Sequence, residues 1–123
     1  MSDGLLAVAR ERGIDGAYFT GIGALSEVTL GYWEWETKRY FQIPVREQVE
    51  VLSLSGNVAL GPDGERKVHA HIVVGKRDGA AHGGHLLAGR VRPTLEVMLV
   101  EVPKHLRRRL DAGTGLPLLD AHG

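Results

Sequence analysis

Apolar and polar residues alternate through Val68-His69-Ala70-His71-Ile72-Val73-Val74, the pattern of a strand buried on one face. Val68, Ala70, Ile72 and Val74 share that face. His69 and His71 project together from the other, because residues two apart on a strand point the same way. Similar short periods recur along the chain. Residues 17–20 read as a strand, and Gly21-Ile22-Gly23 as a tight turn or bulge. Residues 24–35 read as a second strand, with Val28, Leu30 and Tyr32 on one face and Glu27 and Thr29 on the other. Residues 38–43 are its hairpin partner, ended by Pro44. Residues 48–60 form a long apolar strand whose alternation changes phase. Val49 and Val51 share one face and Leu52 and Leu54 the other, so the Val51-Leu52 step implies burial on both faces or a bulge. After the histidine strand, residues 85–91 and 94–102 read as two more.

One segment has a helical character. Ser2-Asp3 can cap a helix over residues 4–12, with Leu5, Leu6, Val8 and Ala9 on its apolar face and Gly13 as its stop. Gly61-Pro62-Asp63-Gly64 and Arg77-Asp78-Gly79 are strong turn signals. Residues 103–123 read as an irregular tail. Many short strands with little helix predict an α+β fold: an antiparallel-rich sheet or partial barrel with one or two helices.

A chain of 123 residues favours one domain over 1–123. A domain of that size buries roughly two-thirds of the surface its unfolded chain exposes, enough for a real core. Lysine plus arginine equals aspartate plus glutamate, at 15 each. Zero net charge argues against general binding to a phosphate backbone, which needs a basic surface. There is no cysteine, so disulfides, thiolate metal sites and cysteine nucleophiles are excluded. A metal must therefore be held by histidine, carboxylate or water. No apolar run approaches a membrane span and no signal peptide opens the chain, so a cytoplasmic location is expected.

The histidines carry the clearest chemistry. Zinc accepts imidazole nitrogen at about 2.0–2.1 Å and prefers a tetrahedron. A strand-borne His-x-His pair supplies two ligands from rigid backbone, and a neighbouring strand must supply the third. The turn at Asp78-Gly79 can return the chain so that Gly83-Gly84-His85 lies beside the pair. The two glycines would let backbone approach closely or bulge to aim the ring. Three ligands leave a position open, as in catalytic rather than structural zinc sites. His82 competes with His85 but precedes the glycines, nearer the turn and further from His69 and His71. His105 and His122 are expected to be solvent-exposed. The ordinary alternative for all of them is a solvated face with no ligand role.

Five motifs then occur in order: Gly21-Ile22-Gly23-Ala24-Leu25, Glu50-Val51-Leu52-Ser53-Leu54-Ser55-Gly56-Asn57, His69-Ala70-His71, Gly83-Gly84-His85-Leu86 and Thr94-Leu95-Glu96-Val97. Together they resemble the plants-and-prokaryotes-conserved domain, also called the PPC or DUF296 domain. The resemblance implies an α+β homotrimer and a metal, usually zinc, on His69, His71 and His85. It also implies a fold similar to that of acetolactate decarboxylase. In plants the domain follows AT-hook segments in nuclear proteins and mediates self-association; prokaryotic members carry the label of predicted DNA-binding proteins. The family does not imply a reaction. Its members usually begin with a further strand before the first helix, and here the helix starts almost at Met1. That predicts either a misplaced start or a missing strand with an open sheet edge to cover. No AT-hook is present; Gly89-Arg90-Val91-Arg92-Pro93 is a superficial echo of one.

Other residues are weaker candidates. Glu50 or Glu96 would orient a ligand histidine or act as a base, although an ion pair or subunit contact is the more ordinary role. Arg90 and Arg92 alternate on one face and would suit an anion, but a solvated face is more usual. Gly21-x-Gly23 fails the dinucleotide fingerprint because Ser26 replaces the third glycine. Tyr32, Trp33, Trp35 and Tyr40 form an aromatic group expected in a core or subunit interface. Lys104-His105-Leu106-Arg107-Arg108-Arg109 is the one basic run, expected to be a solvated end. The expectation is thus a trimer with a three-histidine zinc site and, if it is an enzyme, metal-assisted chemistry on a small polar molecule. A DNA-associated regulatory protein is the second expectation and a plain trimeric interaction module the third.

Overall fold

Alternating burial carries most of the chain into strands. A computed structural model describes residues 1–102 and 106–121. The elements run α1 (Ser2–Arg12), β1 (Ala17–Glu34), β2 (Arg39–Val45), β3 (Val49–Leu60), β4 (Arg66–Gly75), β5 (Ala81–Glu101), β6 (Arg108–Leu110) and β7 (Pro117–Leu119). Five strands form one sheet in the order β2-β1-β3-β4-β5, with every pairing antiparallel. β5 also pairs with β1, so β1, β3, β4 and β5 complete a ring of pairings, and the sheet is partly ringed rather than a closed barrel. The expected α+β, antiparallel-rich architecture is the one observed.

Several expectations need correction. The segments read as two strands on either side of Gly21-Ile22-Gly23 are one strand, β1, whose register against β3 shifts between Gly21 and Gly23. The glycines make a bulge, which bends a strand without ending it. Residues 85–91 and 94–102 likewise belong to one strand, β5. There Gly23 faces Leu95 and Leu25 faces Val91, so Arg92, Pro93 and Thr94 together answer to Ala24. Pro44 does not end β2 but sits inside it, opposite Thr29. β2 is an outer strand, where proline's missing N–H is tolerated. The tail read as irregular carries a short ribbon of β6 and β7. The ribbon is fastened to the main sheet through a bridge between Leu60 and Arg107.

The phase change at Val51-Leu52 resolves as a bulge, with a register shift against β4 between Val51 and Ser53. Val51 is buried, while Leu52 is 52% exposed. Helix α1 has Met1 at its N-cap and no side-chain cap bond, so the Ser2-Asp3 cap does not form. Its stop at Gly13, in the left-handed conformation, does. Leu5 and Ala9 of α1 pack into a core with Phe19, Leu25, Leu54, Val58, Ala70, Ile72 and Leu86. Among the described residues no helix is long and apolar enough to cross a membrane.

The outer face of the ring is different. Across it run two rows of paired residues, Val100-Tyr18-Asn57-His69 and Met98-Thr20-Ser55-His71. Tyr18, Met98 and Val100 are exposed, Met98 to 74%.

Phe19 is fully buried near the start of β1. Truncation there removes transfer energy and leaves a cavity. Phe19→Ala is expected to lower stability by about 3–5 kcal/mol in a urea unfolding titration.

Candidate metal centre

The β4–β5 register brings the histidines together. His71 stands directly opposite His85, and His69 lies two residues along β4 on the same face. His82, the competitor, pairs with Val74 nearer the turn. That turn is well specified: the Gly79 N–H donates to the Lys76 carbonyl at 2.8 Å, and the Ala80 N–H to Asp78 Oδ1 at 2.9 Å. The buried side of β4, at Ala70, Ile72 and Val74, holds the histidine side outward.

Two glycines let the strands around the site close. A Cβ on Gly84 would sit 2.7 Å from the Gly31 carbonyl oxygen of β1. A Cβ on Gly56, opposite Ala70, would collide with the His69 carbonyl. The close approach anticipated for the glycines before His85 is therefore real at Gly84.

One ring nitrogen from each of His69, His71 and His85 lies within 4.8 Å of the others. The Nε2 atoms of His69 and His71 are 3.3 Å apart. Two nitrogens bound at tetrahedral zinc distances stand roughly 3.3 Å apart, so this pair already has the spacing of two ligands. Among the described residues the group consists of three imidazoles with no carboxylate. This donor set fits a borderline divalent metal.

The electrostatics favour the neutral form at His85 and His69. Burial pushes the His85 pKa down to about 4, reinforced by positive charge on His69 and His71. Burial also lowers His69, with Arg108 and His71 adding to it. Neutral imidazole is the form that ligates a metal. The Tyr40 hydroxyl lies 3.4 Å from His85 Nδ1, with the two rings 4.5 Å apart. If His85 ligates through Nε2, its Nδ1–H donates to the Tyr40 oxygen, fixing ring and tautomer. Tyr40 is itself held edge-on by Trp33 at 5.1 Å.

Beside His69 and His85 opens a cleft of about 290 Å³, walled by Tyr40, Val68, Arg108 and Leu118 among others. Arg108 reaches it from β6. Its Nη2 donates to Asn57 Oδ1 and its Nη1 to the Pro117 carbonyl at 3.1 Å. Asn57 is the cross-strand partner of His69, which places the guanidinium at the triad's edge.

The remaining candidates fall elsewhere. Glu50 is exposed opposite Gly75, and Glu96 is exposed opposite Ile22. Arg90 and Arg92 are exposed and do not line the cleft. Tyr32 and Trp35 are exposed, with the Lys38 ammonium 3.1 Å above the Trp35 ring centroid. His105 and His122 lie outside the described residues, as does Lys104. The basic run is thus not uniformly solvated: Arg107 and Arg109 are exposed, while Arg108 is buried. Sequence reasoning missed Arg108 and the role of Tyr40. Membership of a basic run and of an aromatic group were the only signals.

The Plants and Prokaryotes Conserved (PCC) domain model matches residues 1–103. The fold is similar to that of a plant- and prokaryote-conserved (PPC) protein from Pyrococcus horikoshii, with TM-score 0.91 and 35% identity over 99% of this chain and 84% of that one. A metal-containing protein from Archaeoglobus fulgidus superposes with TM-score 0.89 at 34% identity, over 97% of this chain and 84% of its own. A Bacteroides thetaiotaomicron protein, named for a proposed DNA-binding role, superposes with TM-score 0.89 at 32% identity, over 96% and 82%. A curated relative, Bifunctional protein GlmU of Synechococcus sp., is 33% identical over 102 residues. The match takes in 81% of this chain but spans only 15% of that protein's length.

Gly84→Ala is expected to force β5 from β1. It should destabilise the fold by about 1–3 kcal/mol in chemical unfolding and displace the His85 ring signals in NMR spectra.

Proposed function

Because the chain belongs to the Plants and Prokaryotes Conserved domain family, we propose that it is a zinc-binding homotrimer whose three-histidine centre carries out metal-assisted chemistry on a small polar molecule. The observation that carries this reading is the convergence of His69, His71 and His85 at ligand spacing beside an open cleft. The metal-containing Archaeoglobus relative, at 34% identity, supports it. When bound, a divalent metal supplies Lewis acidity, able to polarise a carbonyl or acidify a water. The chain's own residues do the rest. The histidines offer neutral nitrogens, Tyr40 orients His85, and the ribbon beyond β5 walls one side of the cleft.

The trimer reading rests on the outer face. Tyr18, Met98 and Val100 form an exposed apolar patch in the same rows as His69 and His71. A second copy of the chain is the occupant proposed for it, since apolar patches of this kind mark interaction surfaces. Such packing would bring a neighbouring subunit close to the metal centre.

DNA association is the second reading, favoured by the name of the Bacteroides relative. The balance of 15 basic and 15 acidic residues makes it the weaker one.

Metal analysis of tag-free protein by X-ray fluorescence is expected to give about one zinc per chain, in keeping with a three-histidine site. His85→Ala should abolish it, while His82→Ala should leave it intact. A wild type that neither carries nor takes up metal would end the zinc reading. Sedimentation equilibrium at micromolar concentration is expected to report a trimer, which Met98→Glu shifts toward monomer. Wild type running as a monomer would contradict the assembly.

A further inference from the structure

Arg108 is the most unusual charge in the molecule. It is buried, at 7% exposure, and is the one polar or charged residue in the buried class among the described residues. Guanidinium stays protonated inside a protein, so its charge must be met there. Its bonds go to two neutral oxygens, of Asn57 and of the Pro117 carbonyl. Among the described residues the ion pairs join Arg46 to Glu27, Arg66 to Asp15, Lys67 to Asp63 and Lys76 to Glu47, and Arg108 belongs to none of them. A buried cation without an opposite charge is costly and marks the place where an anion would be most welcome.

Its surroundings say what kind of anion. Arg108 lines the 290 Å³ cleft together with His69 and His85. Val68, Leu116 and Leu118 make the intervening wall apolar. A fully hydrated inorganic ion has no use for that wall, whereas an organic acid with a hydrocarbon body does. The volume equals roughly ten waters, the bulk of one small organic molecule. Guanidinium matches a carboxylate edge to edge through paired N–H donors.

We propose that this cleft binds a small organic acid with an apolar body. Its carboxylate is anchored on the Arg108 guanidinium, and its far end is presented to the histidine triad. The proposal deepens the reading of the triad as a metal centre and rests on it only for the fate of that far end. Arg108 is a binding residue here, and Asn57 is the positioning residue that joins it to the strand of His69.

The test uses metal-free full-length protein, so that a carboxylate cannot simply ligate a metal. Phenylacetate and its neutral isostere phenylacetamide are titrated by calorimetry and followed in amide NMR spectra. The acid is expected to bind saturably, about ten- to hundredfold tighter than the amide, the range for a bond to a charged group. Its shifts should centre on His69, Arg108 and Leu118. Arg108→Gln should erase the preference while zinc content after reloading stays at the wild-type level. Equal binding of acid and amide, no saturable binding of the acid, or shifts confined to another surface would overturn the proposal. Should Arg108→Gln fail to fold by circular dichroism, the wild-type comparison of acid and amide decides alone. An acid preference that persists in His85→Ala would uphold the anchor even if the metal reading fails. Metal uptake without any acid preference would do the reverse.

Discussion

Everything at the histidine cluster depends on strand register. In a two-residue period, a slip of one position turns every side chain to the opposite face. On β4 that would exchange Ala70, Ile72 and Val74, which are buried, for His69, His71 and Val73. Imidazoles forced into the core would lose water without gaining partners, a cost of several hydrogen bonds. The apolar alternation therefore does two jobs with one pattern. It fills the core, and it fixes which face of β4 carries the nitrogens. The tight turn at Arg77-Asp78-Gly79 then sets which residue of β5 stands opposite His71.

That constraint puts the site on the outside of the ring, and an outside site has no walls of its own. Here the missing walls come from distant parts of the chain. β2 brings Tyr40 against His85, and the ribbon beyond β5 brings Arg108 and Leu118 to the same cleft. Burial then lowers the pKa of both His69 and His85, favouring their neutral form further than a solvated strand face would. The walls thus set the chemistry of imidazoles whose position the register had already set.

The convergence of the three histidines was legible in the sequence because it obeys local rules: His-x-His on an alternating strand, a turn, and glycines before His85. Two kinds of feature were not. Gly21-Ile22-Gly23 and Arg92-Pro93 look locally like strand ends, yet each lies within a continuous strand because cross-strand pairing resumes beyond it. Propensity sees the breaker but not the ladder on its far side. Arg108 was hidden for a different reason. A charge in a basic run is solvated by default, and what overrides that default is Asn57, 51 residues away. Tyr40 and His85 are separated by 45 residues and meet only because β1 pairs with both β2 and β5.

The three residues of β5 that answer to Ala24 have a consequence for how such a chain can vary in length. Arg92, Pro93 and Thr94 stand between two ladders, one ending at Leu25–Val91 and the other beginning at Gly23–Leu95. Neither ladder counts them. A residue gained or lost there would be taken up by the loop-out, leaving His85 opposite His71 and Met98 opposite Thr20. The same change between Ala81 and His85 would leave no such slack and would take the third nitrogen out of reach. Homologous chains should therefore drift in length at the first place and hold it constant at the second.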